Sequence, residues 1–266
     1  MQFNSYDSLL SLNNIAIKAG EIIMNYYKKN KNITFKEDRS PLTEADLASN
    51  SFILDALKKF DFSIPILTEE TLVAWPKRKK WESYWLVDPL DGTKEFINQN
   101  DEFTVNIALI KNNIPILGII YAPALSVLYF GIKNKGSFKI ICKRKINSLS
   151  ESIKLKVNIK KNNEKFNIFE SRSHSNKEFN LWVKQNYQNY ELIKRGSSIK
   201  FCEIAEGKAD VYPRFGPTNE WDIAAGHIIL NEAGGSIESI DGKEILYNKK
   251  ENILNSYFIA SCKLNN

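Results

Sequence analysis

The chain has 266 residues, 43% of them hydrophobic and 26% charged, with a formal net charge of +6. Those fractions are ordinary for a globular protein with room for one large domain or two modest ones. No basic stripe with interleaved aromatics points to a nucleic-acid polymer, and Cys142, Cys202 and Cys262 lie too far apart for a zinc site.

The three cysteines suit free thiols in a reducing, cytoplasmic compartment. The longest apolar stretch, Ile114 to Leu128, is broken by Pro115, Gly118 and Pro123, so no transmembrane segment is expected. No signal peptide is apparent. The excess of Lys and Arg favours a small polyanionic substrate and leaves peripheral contact with the inner face of an anionic bilayer open.

The repeat of Leu9, Leu12, Ala16, Ala19 and Ile23 predicts a helix from about Tyr6 to Lys29. Lys36 to Pro41 is a polar loop. A second helix begins at Thr43, with Leu47, Ile53, Leu54, Leu57 and Phe60 facing the core. Ile64 to Leu67 is a short strand ending in Thr68-Glu69-Glu70, and Pro76 to Lys80 is a charged loop.

Next comes Trp85-Leu86-Val87-Asp88-Pro89-Leu90-Asp91-Gly92-Thr93, a buried strand that Pro89 should end. Thr93 reads as the N-cap of a following helical turn. Thr104 to Ile110 and Ile116 to Tyr121 are strands joined by a Lys111-Asn112-Asn113 turn. Val127 to Phe130 is a strand ended by Gly131. Lys133 to Lys165 is rich in Lys and Asn and poorly periodic, so a domain boundary is expected near residue 150, dividing 1–150 from 151–266. In the second half Ile168 to Glu170, Asp210 to Tyr212 and Tyr257 to Ala260 read as strands, the last closing the sheet. Asn176 to Asn186, Ser198 to Glu206 and Trp221 to Ala233 read as helices, the last capped by Gly234-Gly235. The order predicts layered sheets and helices of an α/β type.

Four acids fall at element boundaries: Glu69 and the pair Asp88 and Asp91 after strands, and Asp222 at a helix start. Each has an ordinary reading. Asp222 complements a helix dipole, and Thr43-x-x-Asp46 fits a capping box, so Asp46 reads equally as cap or site residue. Jointly, several carboxylates at one crevice repel unless cations lie among them. Acids without a His or Cys cage suit Mg²⁺ shared with a substrate phosphate, and hence phosphate-ester hydrolysis.

Two strings carry a resemblance. Trp85 to Thr93, and Trp221-Asp222-Ile223-Ala224-Ala225-Gly226-His227 through Gly234-Gly235, resemble the two signatures of the inositol monophosphatase superfamily. Asp91 to Phe96, Ser171-Arg172-Ser173-His174, Gly196 to Cys202 and Tyr212 to Asn219 resemble its 3′(2′),5′-bisphosphate nucleotidase branch. The resemblance implies an αβαβα sandwich and Mg²⁺-dependent removal of the 3′-phosphate from adenosine 3′,5′-bisphosphate, using two or three ions and sensitive to lithium. It implies Glu69, Asp88, the Leu90 carbonyl, Asp91 and Asp222 as metal ligands. Asp46 and Thr93 would activate the attacking water, with Glu69 assisting through its metal. Gly92 and Thr93 N–H groups would receive the scissile phosphate. His174, Ser197, Lys200 and Arg214 would hold the nucleotide, the cations facing its second phosphate. Their ordinary readings are a solvated loop, a cap, a solvated helix face and a loop anchor. A monomer or homodimer is expected. The rivals are an inositol monophosphate or fructose bisphosphate phosphatase, a non-catalytic nucleotide-binding module and a basic RNA-binding protein.

Overall fold

The computed structural model describes residues 5–29, 33–35, 41–161, 163–172 and 176–264. Helix α1 (Tyr6–Tyr27) starts where the Ser5 hydroxyl accepts the Ser8 N–H at 3.2 Å. A ribbon of β1 (Ile33–Phe35) and β2 (Pro41–Thr43) feeds α2 (Glu44–Phe60). Thr43 and Asp46 form a reciprocal capping box at its start.

A seven-stranded sheet follows. It contains β3 (Ile66–Thr68), then after a short helix α3 (Trp75–Arg78) the long β4 (Ser83–Asp91). A second short helix, α4 (Thr93–Ile97), leads to β5 (Thr104–Lys111), β6 (Ile114–Ala122), β7 (Val127–Ile132), β8 (Gly136–Ile141) and β9 (Ile153–Lys154). The strands lie in chain order, with β3 parallel to β4 and all later neighbours antiparallel. Side chains alternate between two apolar layers. Trp85, Val87, Val105 and Ile107 pack with α1 and α2, whereas Tyr84, Leu86, Ala108 and Ile110 enter the core on the other face. A sheet covered on both faces reads as continuous apolar runs instead of alternation.

The second half contributes β10 (Ile159–Lys160), β11 (Phe166–Ser171), α5 (Lys177–Asn186), β12 (Tyr190–Arg195) and α6 (Ile199–Ala205). Then come β13 (Val211–Arg214), α7 (Glu220–Glu232), β14 (Ser236–Ser239), β15 (Phe258–Ser261) and β16 (Lys263–Leu264). Five of these strands form a mixed sheet in the order β12-β11-β13-β15-β14. Helices α6 and α7 sit between the two sheets, sharing one core with Leu86 and Ile120 of the first and Tyr212 and Phe258 of the second. Helix α5 covers the far face through Phe179 and Val183 on Ile168 and Val211. The layers therefore run αβαβα, as the resemblance implied. Helix α7 is apolar almost all round because a sheet lies on each side of it.

Several local expectations are corrected. Strand β4 does not end at Pro89: Asp88 pairs with Asn106, the next two residues bulge, and Asp91 pairs again with Thr104. A bulge tolerates proline because the unpaired residue donates no ladder hydrogen bond. Residue Gly92, with φ at +89°, is the N-cap of α4, and Thr93 is its first helical residue. Strand β7 runs through Gly131, where a Cβ would stand 2.8 Å from the Ile229 Cα, so the missing side chain seats α7 on the sheet. The charged stretch from Pro76 is partly helical, because Arg78 is buried with its guanidinium 4.7 Å from the Trp75 ring centroid. Leu47 is 51% exposed, and Leu54 is half-buried. The Lys/Asn-rich stretch contains β8, hidden by its lysines. Strands β12 and β14 were not anticipated, and β15 lies inside the sheet, not at its edge. The turn at Asn112 and Asn113 is as expected, both residues having left-handed φ of 50° and 65°. Of the predicted loop Lys36 to Pro41, positions 36–40 fall outside the described residues, and Pro41 opens β2.

Candidate active site

The bulge at the end of β4 re-aims its acids. Asp88 Oδ1 accepts the Leu90 N–H at 3.0 Å. The Pro89 carbonyl accepts the Ser49 hydroxyl at 2.8 Å, tying the bulge to α2. Asp91 Oδ2 accepts the Ser198 N–H from the second half of the chain. Gly92 turns the chain sharply: a Cβ on it would stand 3.0 Å from the Glu102 carbonyl and 3.2 Å from the Ser197 Cβ. Thr93 Oγ1 then lies 3.1 Å from Asp46 Oδ1 and 3.3 Å from the Leu90 carbonyl. The other oxygen of Asp46 accepts the Thr43 N–H at 2.8 Å and the Thr43 hydroxyl at 2.6 Å. One carboxylate therefore both caps α2 and meets the Thr93 hydroxyl.

Of these groups, Asp91, Gly92 and Thr93 border a cleft of about 220 Å³, whereas Asp46, Asp88 and Leu90 are not among its lining residues. Glu69, Asp91, Gly92 and Thr93 line it from the first half, and Ser197, Lys200, Arg214 and Asp222 from the second. Asp222 reaches it from the start of α7, where its Oδ2 accepts the Asn219 N–H at 2.9 Å. The acids act on one another. Burial pushes the Asp88 carboxyl well above the usual range, and the charges of Glu69, Asp91 and Asp222 push it further. Asp222 is raised in the same way by burial, Asp91 and Glu69. Burial also raises Asp91, against the pull of Lys200 and the Ser198 N–H. Asp46 is raised by burial, against its bonds from Thr43.

Two cations line the same cleft. Lys200 is buried, not on a solvated face, and burial lowers its pKa to about 8. Its Nζ donates to the Ser197 carbonyl at 2.6 Å and lies 4.8 Å from the Tyr212 ring centroid. Arg214 is buried with Nη2 donating to the Pro217 carbonyl at 2.9 Å, while its Nε has no hydrogen-bond partner among the described residues. Ser197 adopts a left-handed φ of 47°, and Ser198, not Ser197, is the N-cap of α6. His174 lies outside the described residues.

The donor set fits a hard divalent cation. The groups acting most strongly on the charge of Asp88 are acids, and an oxygen-only cluster of that kind calls for a neutralising ion. Among the described residues no three His, Cys, Asp or Glu side chains form a ready metal cage. Mg²⁺ needs none, since it retains waters and is completed by substrate phosphate.

Sequence reasoning missed three neighbours of the site. Glu95 is buried against the cleft, Ser198 supplies its N–H to Asp91, and Ser49 holds the bulge. Glu95 and Ser198 lie inside strings that carried the resemblance. Nothing in the sequence around Ser49 signals its partner forty residues away.

The model of the inositol monophosphatase family matches residues 6–263. A 3′(2′),5′-bisphosphate nucleotidase CysQ from Shigella flexneri is 42% identical over 249 residues, covering 93% of this chain and 96% of that protein. Its counterpart from Buchnera aphidicola is 41% identical, covering 93% and 91%. The crystal structure of CysQ from Bacteroides thetaiotaomicron superposes with a TM-score of 0.86 at 38% identity, over 98% of this chain and 99% of that one. Among the described residues no helix is long and apolar enough to cross a membrane. The sandwich, the acid-lined cleft and these matches lead to one conclusion: the chain belongs to the inositol monophosphatase family.

Proposed function

We propose that the chain is a Mg²⁺-dependent 3′(2′),5′-bisphosphate nucleotidase that converts adenosine 3′,5′-bisphosphate to AMP and phosphate, and takes the 5′-phosphosulfate analogue likewise. The observation that carries this is a single cleft lined both by the acids Glu69, Asp91 and Asp222 and by two buried cations, Lys200 and Arg214. A bisphosphate nucleotide presents one anion for a metal held by acids and a second for cations, and full-length similarity to the CysQ proteins supports the same reading. Glu69, Asp88, the Leu90 carbonyl, Asp91 and Asp222 would hold the metal. When bound, Mg²⁺ supplies charge neutralisation at the phosphoryl oxygens and lowers the pKa of water.

The chain's own groups do the rest. The Gly92 and Thr93 N–H groups receive the reacting phosphate at the bend that ends β4. Thr93 Oγ1 takes a proton from the attacking water and passes its own to Asp46 Oδ1, 3.1 Å away. Burial raises the Asp46 carboxyl, which makes it a better base than a solvated aspartate. Lys200 and Arg214 hold the non-reacting phosphate, with Ser197 and His174 beside the nucleotide. The division near residue 150 separates most metal ligands from the nucleotide contacts, and Asp222 crosses back from the second half. Three buried free cysteines suit a reducing cytoplasm.

The test is phosphate release from a substrate panel with Mg²⁺, with and without lithium. Turnover should be fastest on adenosine 3′,5′-bisphosphate and fall with lithium. Fastest turnover on inositol monophosphate would overturn the substrate assignment.

A further inference from the structure

Glu102 stands in the loop before β5. It has no part in the chemistry above, yet it is buried. Its Oε2 accepts the Gly196 N–H at 2.7 Å and Arg172 Nε at 2.9 Å. Its Oε1 accepts Arg172 Nη2 at 2.6 Å and Arg195 Nη1 at 3.2 Å. Arg195 also forks onto Glu203 of α6, its Nε donating at 2.8 Å. Burial works to raise the Glu102 carboxyl, but Arg172, the Gly196 N–H and Arg195 outweigh it and hold the group below the usual range. One carboxylate from the first sheet's side thus gathers the ends of β11 and β12.

What Glu102 holds is the Arg195-Gly196-Ser197 turn. The fit there is close: a Cβ on Gly196 would stand 2.5 Å from the Glu95 Cγ and 3.2 Å from the Glu102 carbonyl. Lys200 takes its place from that turn. Its Nζ donates to the Ser197 carbonyl at 2.6 Å and to the Arg195 carbonyl at 3.4 Å. An ammonium has three hydrogens, so one remains for the cleft that Lys200 lines. The reacting end has holds of its own, the pairing of Asp91 with Thr104 and the contact of Thr93 with Asp46, beside the Ser198 N–H bond to Asp91 that joins it to the residue after the turn.

We propose that Glu102 is a positioning residue for the second anionic group of the substrate: by clamping the Arg195–Ser197 turn it fixes the Lys200 ammonium in the cleft and sets the preference for bisphosphates over monophosphates. This rests on the reading that Lys200 receives the non-reacting phosphate.

The test is steady-state kinetics of the full chain with Mg²⁺ on adenosine 3′,5′-bisphosphate and on adenosine 3′-monophosphate, which lacks the second anion. The wild-type arm decides the substrate reading by itself. If the wild type shows no preference for the bisphosphate, that reading fails and the clamp falls with it. Given the preference, E102Q should raise KM for the bisphosphate about tenfold with kcat within about twofold, the pattern of lost ground-state binding. Its kcat/KM on the monophosphate should stay within about twofold of wild type, and E102D, which keeps the charge, should recover most of the KM. Equal losses on both substrates would reduce Glu102 to a structural strut and overturn the proposal, as would no change on either. Should E102Q fail to fold, R195K keeps a charge but loses the fork onto Glu102 and Glu203. The same selective rise in KM is then required, and its absence overturns the proposal.

Discussion

Two helix starts in this molecule use the same local device for different ends. At α2, Thr43 and Asp46 form a capping box, and at α7, Asn219 and Asp222 form another. In each, one carboxylate oxygen accepts the N–H of the cap residue, at 2.8 Å and 2.9 Å respectively. The second oxygen meets different company. That of Asp46 faces the Thr93 hydroxyl, whereas Asp222 feels the charges of Asp91 and Glu69, which line the same cleft. On the proposed function, the first carboxylate would accept a proton and the second would share a cation. Local sequence sets the position of an acid, and its neighbours from distant segments set its chemistry.

Breaking the second oxygen's role should cost most at α7. D222N should lower kcat about a thousandfold, in line with loss of a main electrostatic stabiliser, and should weaken the rise in melting temperature that Mg²⁺ gives the wild type. D46N should lower kcat about a hundredfold, as expected for loss of a general base. It should keep the Mg²⁺-dependent thermal shift, because its carboxylate is not assigned to the metal. If both variants lose that shift equally, the division of labour between the two caps is wrong. Thermal melts with and without Mg²⁺, beside single-turnover rates, read both quantities.

A third group sharpens the comparison by lying on α7 yet away from the acids. His227 is buried, with Nδ1 2.9 Å from the Tyr247 hydroxyl, and burial lowers its pKa from 6.5 to about 4. The unfolded chain therefore binds this proton first as pH falls. The contribution is fully present above pH 6.5 and is lost on acidification towards about 4, to the extent of roughly 3 kcal/mol. The difference in melting temperature between wild type and H227Q should shrink across that window. A constant difference would contradict a neutral buried imidazole.

The smallest effect belongs to the cap itself. T43A removes the hydroxyl bond to Asp46 but leaves the backbone N–H bond, so it should cost about 1 kcal/mol in denaturant titrations. Its kcat should fall by less than about tenfold, far less than in D46N.

Much of the frame was legible in advance. The period of Leu9, Leu12, Ala16 and Ile23 marked α1, and the apolar runs around Trp85 and Ile107 marked the sheet. Strands β12 and β14 were not, because short strands at a sheet edge carry polar side chains and read as loops. Pro89 misled for a related reason. Proline argues against a strand only where the position must donate a ladder N–H, and inside a bulge it need not. The ordinary reading of Lys200 as a solvated residue fails because nothing nearby in sequence reveals the Tyr212 ring and the acids close to it.

The sequence by itself determined the layer type, the acids at the element ends and the family, since periodicity and motif strings are local properties of a chain. Only the tertiary structure decided that Glu69, Asp91 and Asp222 border one cleft, that Asp46 holds Thr93, and that Glu102 binds the Gly196 turn. Those relations join residues tens to more than a hundred positions apart. They exist only once α6 and α7 are packed between two sheets, because close packing fixes distances that no spacing along the chain encodes.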